Sequence, residues 1–337
     1  MLEKLQRAHE IGAENLTSLP DELSSDGQPV VLRGAVADWP FVRGASQSDE
    51  DAAAYLRRFY NGRPVSALIA PPGEHGRFFY RAESKRMNFD TAAAQLPEVL
   101  DELLQQRTAD KPPAIALQAV SAPDCLPGLE QENPNRFVPA GTQARVWIGN
   151  AVTVAPHFDV AENIACVVAG SRRFILFPPE QTVNIYPGPM DVTPAGVPIS
   201  MVPMGDAELD RFPRYREALH AALVADLEPG DAIYIPYLWW HGVQSRSGFN
   251  VLVNYWFNRD EPSAAYPYVA LLQLAYRAFR EMPPEHRTAW HELYEHYVFQ
   301  TGGDPMEAIA PAHRDSEQAV DSARLARLTE AVRALLG

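Results

Sequence analysis

Cysteine is scarce in this 337-residue chain. Cys125 and Cys166 are the only two, with no Cys-x-x-Cys pair and no Cys/His companion, so a disulfide framework and a thiolate metal centre are both excluded. Positive charge is short as well: 29 Lys and Arg face 43 Asp and Glu, a formal net charge of −14 at pH 7. With no basic surplus to displace counterions from a phosphate backbone, no nucleic-acid partner is expected. No apolar run approaches the roughly 18 residues that span a bilayer, and no membrane partner is expected. The opening MLEKLQRAHEIGAENL is amphipathic and carries acids, without the apolar stretch of a secretory signal, so the expected location is cytoplasmic. Neither GxGxxG, nor a P-loop, nor a Ser/His/Asp elbow is present, which leaves nucleotide chemistry and serine-based acyl transfer without a foothold. Lysine is nearly missing: Lys4, Lys85 and Lys111 leave 26 arginines, so an arginine in a lysine's place carries little meaning by itself.

What is present is an ordinary globular composition, 46% hydrophobic and 21% charged, able to bury a sizeable core. In the first third, PVVLRG (29–34) reads as a buried strand, SDEDAAAYLRRFYNG (48–62) as a capped helix, and RPVSALIAPP as a strand. NFDTAAAQLPEVLDELLQQR (88–107) reads as a helix broken or restarted at Pro97. From 114 to 258, short β-branched runs (AIALQAV, ARVWIG, IACVVAG, RRFILF, AIYIP, NVLVNYWF) alternate with Gly/Pro-rich turns, the pattern of a β-barrel or sandwich. A long Pro/Gly-rich loop and a helix over 207–223 interrupt it. The remainder is helical, and Leu325, Leu328, Val332 and Leu335 form one apolar stripe that packs on the parent fold or makes a homodimer contact. The expected organisation is an N-terminal α/β region (1–113), a β core (114–258) and a C-terminal helical region (259–337).

The stretch PHFDVAEN carries the chemistry. His157-x-Asp159 puts an imidazole and a carboxylate on one face of a strand, because side-chain direction there has period two. A third ligand is available from His241, in YLWWHGV after the strand DAIYIP. Two histidines and one carboxylate leave three coordination positions open, which suits a redox-active Fe(II) that must also bind a co-substrate and dioxygen; a structural zinc would close its shell with a fourth protein ligand. HELYEH (291–296) does not offer a second centre, since its histidines stand five positions apart and diverge by roughly 140° on a helix. Tyr237, Trp239 and Trp240 read as core packing.

Across PHFDVAENIACVVAGSRRFILFPPEQTVNIYPGP and LEPGDAIYIPYLWWHGV…NVLVNYWF the chain resembles the JmjC-type, cupin-fold 2-oxoglutarate oxygenases, in particular the asparaginyl hydroxylases that act on hypoxia-inducible factor. The resemblance implies a mainly β fold with flanking helices around a double-stranded β-helix (jelly-roll) core. It implies a catalytic Fe(II) triad of His157, Asp159 and His241, and 2-oxoglutarate as co-substrate, with Asn163 and Asn254 lining its pocket. Arg172 stands where those hydroxylases place the lysine that pairs with the distal carboxylate. Ala116 replaces a tyrosine, and Val154 replaces a threonine, with Thr153 one position upstream as the nearest hydroxyl. Partners implied are 2-oxoglutarate, dioxygen and a protein or small-molecule substrate. The departures keep two alternatives open: a cupin that holds a metal or small ligand without oxygen chemistry, and a metal-dependent enzyme that uses no 2-oxoglutarate.

Overall fold

Apolar runs closed by Gly and Pro become strands, and the acid-led DEDAAAYLRRF becomes a helix. A computed structural model describes residues 5–81, 86–205, 207–259 and 268–310, with 326, 327, 330 and 333 beyond. The chain divides into two compact units, Met1–Val269 and Ala270–Gly337.

In the first unit the strands are β1 (Gln6–Arg7), β2 (His9–Gly12), β3 (Val30–Arg33), β4 (Val65–Ala70), β5 (Arg77–Phe78), β6 (Asp90–Ala94), β7 (Ala114–Ser121) and β8 (Ala144–Gly149). They continue with β9 (Thr153–His157), β10 (Glu162–Ala169), β11 (Arg172–Phe177), β12 (Leu223–Leu227), β13 (Ala232–Ile235), β14 (Trp240–Ser245) and β15 (Asn250–Phe257). Two sheets form. One has the order β1-β12-β11-β14-β9-β5 and the other β2-β3-β13-β10-β15-β8-β7-β4-β6. Of the strands before residue 114, β2, β3, β4 and β6 join the larger sheet, with β3 on β13 and β4 on β7, while β1 on β12 and β5 on β9 edge the smaller one.

The helices of this unit are α1 (Asp21–Ser25), α2 (Pro40–Ala45), α3 (Asp49–Phe59), α4 (Leu96–Gln106), α5 (Ala122–Cys125), α6 (Leu129–Glu132) and α7 (Tyr215–Ala221). Ser48 caps α3 by accepting from the Asp51 N–H at 3.0 Å, with acids in the first turn and arginines in the last. Along β10, Ile164, Cys166 and Val168 face a core shared with Phe41, Leu56 and Leu100 of α2, α3 and α4. The alternate residues Ala165 and Val167 face Phe174, Leu176 and Val243 of the smaller sheet. Both faces are covered, which is why the strand reads as an uninterrupted apolar run. Cys166 is buried within that core. Beyond the smaller sheet, Ile175, Phe177 and Trp240 pack against Tyr215 and Leu219 of α7.

Two expected helices are shorter than their sequences suggest. Asp90–Ala94 is an edge strand on β4, so pairing overrides the helical preference of its alanines, and Pro97 lies in the first turn of α4, where it lacks no needed N–H. In the 207–223 segment only Tyr215–Ala221 is α-helical.

In the second unit, α8 (Tyr268–Phe279) starts just before its boundary and α9 (Pro284–Tyr294) follows. The Phe279 ring packs against Trp290 and Tyr294 of α9, at centroid distances of 5.4 and 5.7 Å. His291 faces Glu295 at 3.8 Å and His296 packs on Tyr297, so the two histidines of HELYEH diverge. The stripe of Leu325, Leu328, Val332 and Leu335 lies outside the described residues. No helix among the described residues is long and apolar enough to cross a membrane.

Candidate metal centre

β9 and β14 run antiparallel with His157 directly opposite His241, and their rings stand 4.4 Å apart between centroids. The strand ends at His157. Asp159 is therefore not on a strand face with it, as the spacing suggested, but in the turn that follows. That turn is pinned by the Leu238 N–H, which donates to the Asp159 carbonyl at 3.2 Å from a residue in left-handed backbone (φ +61°). The three side chains converge all the same: one ligand atom from each lies within 4.8 Å of the others, and His241 Nε2 is 3.5 Å from Asp159 Oδ2.

Each histidine is oriented by its own strand. Nδ1 of His157 lies 3.0 Å from the Ala155 carbonyl, and Nδ1 of His241 lies 3.0 Å from the Trp239 carbonyl. A carbonyl only accepts, so Nδ1 carries the proton and Nε2 keeps a free lone pair for a metal. Burial, reinforced by the neighbouring His241 and opposed by Asp159, pushes His157 down to about 4. At neutral pH it is an uncharged, ligand-ready imidazole.

Around Asp159 runs a set of hydrogen bonds. Its Oδ2 accepts from Asn163 Nδ2 at 3.1 Å and from Trp256 Nε1 at 2.8 Å. Asn163 Oδ1 accepts from Asn254 Nδ2 at 3.2 Å, and Asn254 Oδ1 accepts from Trp147 Nε1 at 2.7 Å. Sequence reasoning singled out both asparagines but neither tryptophan. Trp256 carried a signal, since it stands two positions beyond Asn254 and shares its strand face; Trp147 carried none.

The ligands open onto a cavity of about 400 Å³ between the two sheets. Its far wall includes Arg172, the first residue of β11, only 8% exposed. The Arg172 Nε has no hydrogen-bond partner, and among the described residues no carboxylate pairs with the guanidinium. Burial alone brings its ordinary value of 12.5 down to about 10, so the cation persists at neutral pH without a counter-charge.

The two departures from the family pattern fall differently. The cavity wall holds Val154, not Thr153, because the β9–β14 register slips between His241 and Val243. That bulge, at Ala155–Pro156, puts Val154 and His157 on one face and turns Thr153 away. Ala116 does not line the cavity; it packs with Leu68, Ala70 and Phe78 in a side cluster. The neighbouring Gln118 and Ala119 do line it, at a second bulge where Ala119 adopts a left-handed φ of +50°.

The profile of the family described as "Cupin-like domain" matches residues 17–262. The chain belongs to the cupin-like domain family. This cupin-like chain is 27% identical over 276 residues to human "Bifunctional peptidase and (3S)-lysyl hydroxylase JMJD7", covering 73% of this chain and 81% of that protein. It is 24% identical over 253 residues to "Jumonji C domain-containing protein 5" of Drosophila melanogaster, covering 74% of this chain. It is 31% identical over 153 residues to human "HSPB1-associated protein 1". The chain spans 59% of the fly protein and 31% of the HSPB1-associated protein. A His/Asp/His metal site in a cupin-like chain with JmjC relatives supports catalysis of the 2-oxoglutarate-dioxygenase, hydroxylase type.

Proposed function

We propose that the chain is an Fe(II)- and 2-oxoglutarate-dependent oxygenase that hydroxylates a protein side chain, with the inter-sheet cavity as its active site. The observation that carries this reading is the unpaired, buried Arg172 in the same cavity as three metal ligands. A buried cation with no partner is costly unless an anion comes to it. Arg172, Phe174 and Leu176 share one face of β11, and Leu176 pairs with His241. Four residues of strand put about 13 Å of backbone between the arginine and the ligand histidine. A long arginine side chain and a five-carbon diacid together bridge that gap. Two imidazoles and one carboxylate suit a borderline divalent metal with open positions, so the residues present fit the implied group.

His157, Asp159 and His241 would hold the metal, and Arg172 would fork onto the distal carboxylate of 2-oxoglutarate. Bound Fe(II) supplies the redox centre at which 2-oxoglutarate is decarboxylated as dioxygen is reduced and the substrate hydroxylated. The chain's own part is to keep His157 uncharged, to orient the diacid, and to exclude water with Phe174, Val243, Leu252 and Val154 lining the space between. The core around this site we read as a double-stranded β-helix, within the organisation 1–113, 114–258 and 259–337. Human JMJD7 is named for lysyl hydroxylation and the sequence resemblance runs to asparaginyl hydroxylases, so a protein side chain is the favoured substrate. Two free cysteines suit a reducing compartment, here taken as the cytoplasm, and homodimerisation through the C-terminal helices is part of the same reading.

The test is succinate release from 2-oxoglutarate by the Fe(II)-loaded protein, with calorimetry for 2-oxoglutarate binding. Wild type is expected to turn over, even uncoupled, while His157→Ala falls to background and Arg172→Ala loses 2-oxoglutarate affinity. Absence of turnover together with absence of 2-oxoglutarate binding would refute the proposal and leave a metal-binding cupin or an enzyme using another co-substrate.

A further inference from the structure

The hydrogen bonds around Asp159 have a direction. An indole N–H can only donate, so the atom of Asn254 facing Trp147 must be its oxygen, leaving Nδ2 for Asn163. Asn163 then receives through Oδ1 and must point Nδ2 onward, where an acceptor-only carboxylate waits. The donor-only end and the acceptor-only end demand the same orientation of both amides, so neither can flip without breaking two bonds. Asn163 and Asn254 are 5% and 2% exposed, so water has little room to replace a lost partner. Trp256 closes the arrangement from the other side, donating to the same Asp159 oxygen and standing edge-on to Trp147, 6.0 Å between centroids at 87°.

We infer that Trp147, Asn254, Asn163 and Trp256 form a one-way relay that positions the Asp159 carboxylate beside the two histidines as a metal ligand. The two tryptophans are positioning residues of the metal site. The inference rests on reading the triad as a metal centre. Asp159 needs this support because it sits in a turn, whereas both histidines are held by strand pairing and by carbonyls two residues back. Chains of aligned hydrogen bonds also polarise one another, so Trp147 acts on a carboxylate it does not touch.

The experiment titrates the apoprotein with Co(II), read by its visible d–d absorption, for wild type, Trp256→Phe and Trp147→Phe. Phenylalanine keeps an aromatic ring and removes only the N–H side of the indole. Losing such an outer partner weakens metal binding by about 10- to 100-fold, the range expected for Trp256→Phe. Trp147→Phe, remote from the carboxylate, is expected to weaken Co(II) by several-fold and to alter the spectrum in the same sense. A second readout needs no metal: in the 1H–15N spectrum of the apoprotein, Asp159→Asn should move the Trp256 indole signal upfield. If wild type binds no Co(II), the metal reading itself falls. If wild type binds and Trp256→Phe matches its affinity and spectrum, or if Asp159→Asn leaves the Trp256 signal in place, the relay is overturned.

Discussion

Replacing Arg172 by methionine should make the apoprotein more stable and the enzyme useless. Burial brings this guanidinium from 12.5 down to about 10, a penalty on the charged form of about 3 kcal/mol. No protein partner offsets it, since Nε is unbonded and no carboxylate pairs with the group among the described residues. Methionine keeps an unbranched apolar stem beside Phe174 and Leu252 and removes the charge, so stabilisation of about 1–3 kcal/mol is expected. In urea, with a slope near 3 kcal/mol per molar, the unfolding midpoint of Arg172→Met should rise by about 0.3–1 M. With Mn(II) as a redox-silent metal, 2-oxoglutarate at a hundred times its Kd should add about 2.7 kcal/mol to wild type and nothing to the variant. An Arg172→Met apoprotein less stable than wild type, with its 2-oxoglutarate stabilisation intact, would show that the arginine is a structural cation and not a co-substrate anchor.

Three further outcomes are expected. Arg173 donates twice to Asp226, at 2.6 and 2.8 Å, and holds that carboxyl below its usual 3.8. The resulting stability is present above about pH 4 and drains as pH falls through the lowered value, so the urea-midpoint gap between wild type and Arg173→Ala should narrow from pH 7 to pH 3. In Gly149→Ala the new Cβ would stand 2.7 Å from the Ile115 carbonyl oxygen, and the variant should lose about 1–3 kcal/mol in thermal unfolding; an unchanged Tm would mean that β7 and β8 part more easily than the structure indicates. Trp240, 2% exposed and edge-on to Phe158 at 4.9 Å, should cost about 3–5 kcal/mol on replacement by alanine, measured by denaturant unfolding.

The metal ligands were legible because His157 and Asp159 shared one recognisable stretch and His241 stood in another, and strand pairing brings the two histidines face to face. What surrounds them was less so. Period-two counting from His157 fails at the Ala155–Pro156 bulge; Pro156 marks the strand as irregular, but TVAPH does not show how the register slips there. Asp90–Ala94 reads as helix by propensity and becomes a strand only because β4 offers an open edge, a long-range event. Trp256 could have been picked out from its place two residues beyond Asn254, but Trp147 looks like any core aromatic, and its N–H acquires meaning only when β8, β10 and β15 lie side by side. The strands of the first third were readable as strands, yet their membership of the larger sheet depends on partners far along the chain.

The direct opposition of His157 and His241 across β9 and β14 makes the centre part rigid and part adjustable. The distance between these two backbones is set by a ladder whose strands lie about 4.7–4.9 Å apart, and it cannot widen without breaking main-chain hydrogen bonds. Asp159 alone is carried by a turn. An ion of larger or smaller radius must therefore be met by the carboxylate turning against its Asn163 and Trp256 donors, with the two histidine-bearing strands as the fixed side. Metal preference in this chain is thus set by how far those two hydrogen bonds let one carboxylate turn.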